Sequence, residues 1–87
     1  MFNKWSIGRG NKGLAVEIGN LILYFSYDTL VAFKSPENGL VCCDNIWGST
    51  TGNHLNSIEP DHDKRYDYPS FMAKVEELKV FLDGCGL

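Results

Sequence analysis

Residues 14–27, LAVEIGNLILYFSY, limit what this chain can fold into more than any other stretch. Two apolar runs flank Gly19-Asn20, a pair suited to the positive φ values of a tight hairpin turn. With that pair as the turn, Ile18 faces Leu21, Val16 faces Leu23 and Leu14 faces Phe25. Strand side chains alternate with period two, so all six lie on one face. A slip of one residue would scatter them, so turn chemistry and hydrophobic pattern specify the same register. The other face receives Ala15, Glu17, Ile22, Tyr24 and Ser26 and is expected to be mixed and half solvated.

A second hairpin follows, with VAFK and LVCC on either side of Ser35-Pro36-Glu37-Asn38-Gly39. It pairs Phe33 with Val41 and Val31 with Cys43. Asn3–Ile7 reads as a short first strand with Trp5 and Ile7 on one face, and His54–Ile58 as a last strand. Helical period appears only near the end, where Phe71, Val75, Leu78 and Leu82 recur at spacings of four, three and four. Pro69 suits the first turn of that helix, Asp67 or Ser70 its cap, and Gly84 its stop. Glu59–Asp67 is dense in charge and reads as a solvated linker. The expected fold is α+β: a small antiparallel β-sheet of about four to five strands, built on two sequential hairpins and packed against one C-terminal α-helix.

At 87 residues the chain has room for one domain, because folding at this size buries only about 60–65% of the unfolded surface. A composition 44% hydrophobic and 22% charged supplies a core and carries no disorder signature. The net charge of −3 disfavours direct nucleic-acid binding, which calls for Lys and Arg gathered on one face. No apolar run is long enough to span a bilayer and no leader pattern is visible, so neither membrane insertion nor secretion is expected. Three cysteines, Cys42, Cys43 and Cys85, form no disulfide framework and fit reduced thiols of a cytoplasm. Cys42 and Cys43 are adjacent in a strand, so they point to opposite faces and cannot jointly hold an ion; Cys43 is the one expected in the core.

Gly8-Arg9-Gly10-Asn11-Lys12-Gly13 has the G-x-G-x-x-G spacing of dinucleotide folds, yet that fingerprint needs a strand before it and a helix after it. Here a hairpin follows, so a plain loop between strands is favoured over an anion site at Arg9 and Lys12. Trp47–Asn56, WGSTTGNHLN, is dense in hydroxyl and amide groups beside an aromatic ring. Trp47, Ser49, Thr50, Thr51, Asn53, His54 and Asn56 are the candidate binding residues, although such groups routinely satisfy their own turns. His54 and His62 with Asp61 and Asp63 fit no named metal spacing, and no metal or other cofactor is expected. Ser49, Thr50, Thr51 and His54 are raw material for nucleophilic catalysis without its signature, so binding is expected rather than turnover.

Tyr24–Phe33 (YFSYDTLVAF) and Asn45–Asn56 (NIWGSTTGNHLN) resemble a family of small uncharacterised proteins found mainly in bacteriophage genomes. Members share a YFSYxTxVAF strand, an Asn-x-Trp-Ser-x-Thr-Thr-Gly-x-His-Leu-Asn-like segment and a short terminal helix; Gly48 stands here where many relatives have Ser. The resemblance implies a shared fold and a phage origin, with no assigned activity. The expected function is that of a phage accessory protein acting by stoichiometric binding in the host cytoplasm, such as an inhibitor of a host defence complex. Its acidic Asp61, Asp63 and Asp67 would then suit a basic channel on the host protein. One alternative is a small-ligand or nucleotide-binding module that uses Trp47, Thr50, Thr51, His54 and Asn56 with help from Arg9. Another is a structural or virion-associated homo-oligomer pairing through an open sheet edge. Convergence of the glycine loop with Trp47–Asn56 would favour the ligand module, and placement at opposite ends would count against it.

Overall fold

The structure, a computed structural model, describes residues 2–8 and 12–84. Five antiparallel strands lie in sequence order in one open sheet: β1 (Phe2–Ser6), β2 (Gly13–Ile18), β3 (Leu21–Ser26), β4 (Thr29–Ser35) and β5 (Gly39–Cys42). Helix α1 (Ser49–Ile58), a 3-10 turn at His62–Lys64 and helix α2 (Tyr68–Gly84) follow. Strands first and helices last make an α+β domain.

The central hairpin takes the register its apolar pattern dictates. Leu14 pairs with Phe25, Val16 with Leu23 and Ile18 with Leu21, and Gly19 turns the chain at φ +59°. Phe33 pairs with Val41, and the Cys43 amide donates to the Val31 carbonyl at 3.0 Å. Between β3 and β4 the register shifts, so that Tyr24 faces Ala32, Phe25 faces Leu30 and Val31 is left over. Such a bulge breaks strict alternation. Val31 therefore packs with Ala32, Cys42 and Leu55, while Cys43 joins Phe33 on the other face.

Helix α2 covers one face, with Phe71, Val75 and Leu78 packed on Phe33, Val41 and Cys43. The rings of Phe33 and Phe71 lie 6.3 Å apart at 44°. Asp67 rather than Ser70 caps this helix, its carboxylate accepting from the Ser70 amide at 2.8 Å. The Ser70 backbone and side chain hold the Asp67 carboxyl below the ordinary carboxylate range. The helix lies over β3–β5 and leaves the β2 end open, so Leu14 and Ile18 stay 37% and 41% exposed. The face the six side chains share is thus only partly roofed.

The opposite face departs from expectation. Ala15 and Ser26 are buried there rather than half solvated, and a second helix covers Ser26 through Thr51 and His54. The strand expected at His54–Ile58 is instead the C-terminal half of α1, whose Thr51, His54 and Leu55 are buried and whose Ile58 packs beside them. Ser, Thr, Asn and Gly are poor helix formers, so the segment gives little local signal and takes its conformation from what it buries. Arg65 closes the far end of α1, donating from Nε and Nη2 to the Glu59 carbonyl at 3.0 and 2.8 Å and from Nη2 to Asn56 Oδ1 at 2.9 Å. A cation there complements the negative end of the helix dipole, so part of the charged linker is structural.

Both described cysteines are buried, Cys42 beneath α1 and Cys43 beneath α2. Burial penalises the thiolate and pushes the Cys42 thiol up to about 12 and the Cys43 thiol to about 11. In a Cys85→Ser background, iodoacetamide at pH 8 is expected to leave the folded protein unmodified over hours and to label both thiols in urea; mass spectrometry reads the count. Rapid single labelling of the folded form would contradict the burial. No helix among the described residues is long and apolar enough to cross a membrane.

Candidate functional site

The approach to α1 is organised by Asn45. Its Oδ1 accepts from the Trp47 and Gly48 amides at 3.0 and 3.2 Å, and its Nδ2 donates to the Gly48 carbonyl at 2.9 Å. This side chain serves the turn before the helix and not the helix itself. The N-cap is Gly48, which has no side chain to offer, so the first-turn amides of α1 carry no side-chain cap. Opposite them, the β3–β4 turn holds Tyr27 at φ +56°, a left-handed conformation that costs a non-glycine residue about 1 kcal/mol. The Tyr27 amide donates to the Lys12 carbonyl at 2.8 Å, which ties the turn to the chain entering β2.

A cavity of about 340 Å³ lies between these two structures. Ser26, Tyr27, Thr29 and Val31 form its sheet wall, and residues 47–51 form its helix wall. Its lining holds five hydroxyl side chains of Ser and Thr with two aromatic rings, and no carboxylate, in a chain of net charge −3.

Behind the cavity runs a buried polar chain. Thr51 Oγ1 lies 2.8 Å from Ser26 Oγ, which lies 2.7 Å from His54 Nδ1. The three residues are 6%, 2% and 0% exposed. His54 Nε2 is buried and has no hydrogen-bond partner among the described residues. The imidazole sits against the strand connection: a Cβ at Gly8 would stand 2.7 Å, and one at Gly13 2.9 Å, from His54 Cδ2. Those two glycines therefore leave room for a ring rather than for a phosphate. The Tyr27 ring stands nearby, its centroid 6.4 Å from that of His54 and its plane tilted by 56°.

The candidate residues divide accordingly. Trp47, Ser49, Thr50 and Thr51 line the cavity, and His54 supports it from behind. Asn53 is exposed, its carbonyl accepting from the Ser57 hydroxyl at 3.2 Å, and Asn56 accepts from Arg65; both lie off the cavity. Lys12 is exposed and acts through its carbonyl, and Arg9 lies outside the described residues. His54, His62, Asp61 and Asp63 form no group of metal ligands among the described residues. Ser26, Tyr27, Thr29 and Val31 carry no local sequence signal for a site, and strand alternation alone predicts a half-solvated face for Ser26. The signal lies elsewhere, in the spacing Thr51, His54, Leu55, Ile58, one stripe of a helix.

Gly8 and Gly13 thus converge with the Trp47–Asn56 segment, and a model of a family of unknown function, DUF8033, matches residues 3–74. The chain belongs to the DUF8033 family. The matched span contains every residue lining the cavity and the His54 chain behind it, and it ends within α2. A search of curated proteins found no match to this DUF8033 chain, and neither did a search of solved structures.

Proposed function

We propose that this DUF8033 domain is a stoichiometric binding module whose recognition site is the cavity between the β3–β4 turn and the start of α1. The observation that carries this reading is Tyr27, a residue lining the cavity that is held in a left-handed conformation where glycine would be unstrained. Strain of that kind persists where a side chain is needed for something other than stability. Binding is favoured over turnover because the one hydroxyl–imidazole pair at the site, Ser26 and His54, is almost wholly buried, and no third group orients the ring through Nε2 among the described residues.

Tyr27→Gly tests this directly. The variant is expected to hold its thermal midpoint or gain a few degrees, since relief of about 1 kcal/mol offsets the lost ring contacts. In amide NMR spectra of the native protein, acetate, phosphate, acetamide and methylguanidinium are used as probes of the cavity. At least one is expected to shift Tyr27, Thr29 and residues 47–51 while sparing Leu14 and Ile18, and Tyr27→Gly to weaken that response several-fold. Native spectra in which no probe shifts the cavity would end the reading.

A second reading keeps the stoichiometric mode and makes the occupant a group on a host protein, with the chain as a phage accessory inhibitor. Tyr27, Ile46 and Trp47 favour it, being exposed apolar side chains at or beside the cavity mouth. Self-assembly through the β1 edge is disfavoured by Lys4 in the middle of that strand, a charge that discourages edge-to-edge pairing.

A further inference from the structure

The buried chain behind the cavity has a direction, and the direction specifies the occupant. A neutral imidazole carries one proton. If it sat on Nε2, an N–H would be buried with no acceptor among the described residues. Orphaned buried donors are rarer and costlier than under-used acceptors, so the proton belongs on Nδ1. Nδ1–H then donates to Ser26 Oγ, and the Ser26 proton turns to its other neighbour, Thr51 Oγ1. The Thr51 proton is displaced in turn, and Thr51 has no further hydrogen-bond partner among the described residues. Thr51 is buried, only 6% exposed, and lies on the cavity wall.

We infer that His54, acting through Ser26, makes Thr51 a committed hydrogen-bond donor on the cavity wall, and that the cavity takes an oxyanion, a carboxylate or a phosphate. This rests on the binding role proposed above. The Thr51 hydroxyl is the decisive group, because it is desolvated and lacks an acceptor. The uncapped amides of α1 and the absence of any carboxylate from the lining agree with it. His54 is a positioning residue, touching no ligand itself.

The test combines two measurements. Long-range nitrogen–proton NMR of the imidazole at pH 8 is expected to find the His54 proton on Nδ1; a proton on Nε2 reverses the chain and overturns the inference whatever binds. Acetate and inorganic phosphate are then titrated in parallel with neutral acetamide and cationic methylguanidinium. At least one oxyanion is expected to shift residues 47–51, with Thr51→Val weakening it about tenfold and Thr51→Ser staying within about twofold, as loss and retention of one buried hydrogen bond require. The stronger of the two oxyanions names the source, a carboxylate group or a phosphoryl group. Should acetamide or methylguanidinium occupy the site while both oxyanions fail, the binding role survives and the inference falls. Should all four fail, both fall. An oxyanion held equally well by native and Thr51→Val proteins also removes the role given to Thr51.

Discussion

Gly13→Ala is expected to lower stability by about 3 kcal/mol, at the upper end for overpacking a well-filled site. The added methyl would collide with the Ile7 carbonyl oxygen and stand 2.7 Å from Ile7 Cγ1 and 2.9 Å from His54 Cδ2. Two of those neighbours are side chains, but the carbonyl is backbone and the Ile7 amide is bonded to the Gly13 carbonyl at 3.1 Å. Relief therefore requires moving a paired backbone or expelling the imidazole. For a domain this size the loss corresponds to a fall of roughly 12–24 °C in thermal midpoint. Gly48→Ala is the control, since a Cβ there meets nothing within 4 Å and its φ of 174° is ordinary extended backbone. A fall under about 5 °C for Gly13→Ala would mean that Gly13 is not packed closely against Ile7 and His54.

That pair of variants also shows why the glycine loop was hard to read. Its spacing matches a phosphate loop while its sequence context, a hairpin rather than a helix after the glycines, argues for a plain connection. The reason for two of its glycines is a histidine far along the chain, and no local pattern carries that information. The hairpins were legible because each uses signals within a few residues: a Gly-Asn turn, period-two alternation, and matching apolar runs such as Leu14–Ile18 and Leu21–Phe25. Helix α2 was legible for the same reason, through Phe71, Val75 and Leu78 and a preceding Asp67. The bulge at Val31 and helix α1 were not, because both are set by packing across the sheet. Half of the cavity is legible as a polar segment; the half formed by Ser26, Tyr27, Thr29 and Val31 depends on α1 lying across the sheet, which no local pattern encodes.

His54→Ala is expected to release α1 from the sheet before it unfolds the rest. The helix is short, contains Gly52 and two Asn, and holds to the sheet mainly through Thr51, His54, Leu55 and Ile58. A helix of this length and composition has little stability in water, so its order depends on that docking. Truncating the fully buried ring leaves a cavity and deprives Ser26 of one partner, a loss of about 3 kcal/mol. The Phe33–Phe71 core lies on the other face and shares none of these atoms. Hydrogen exchange should therefore show the amides of 52–58 losing protection by at least a hundredfold while those of Phe33 and Val41 change much less. The cavity would lose one wall with the helix, and every probe response at Tyr27 and Thr29 should vanish with it. Equal loss of protection on both faces would show that α1 and the sheet unfold as one unit, and that His54 holds the whole domain rather than the site.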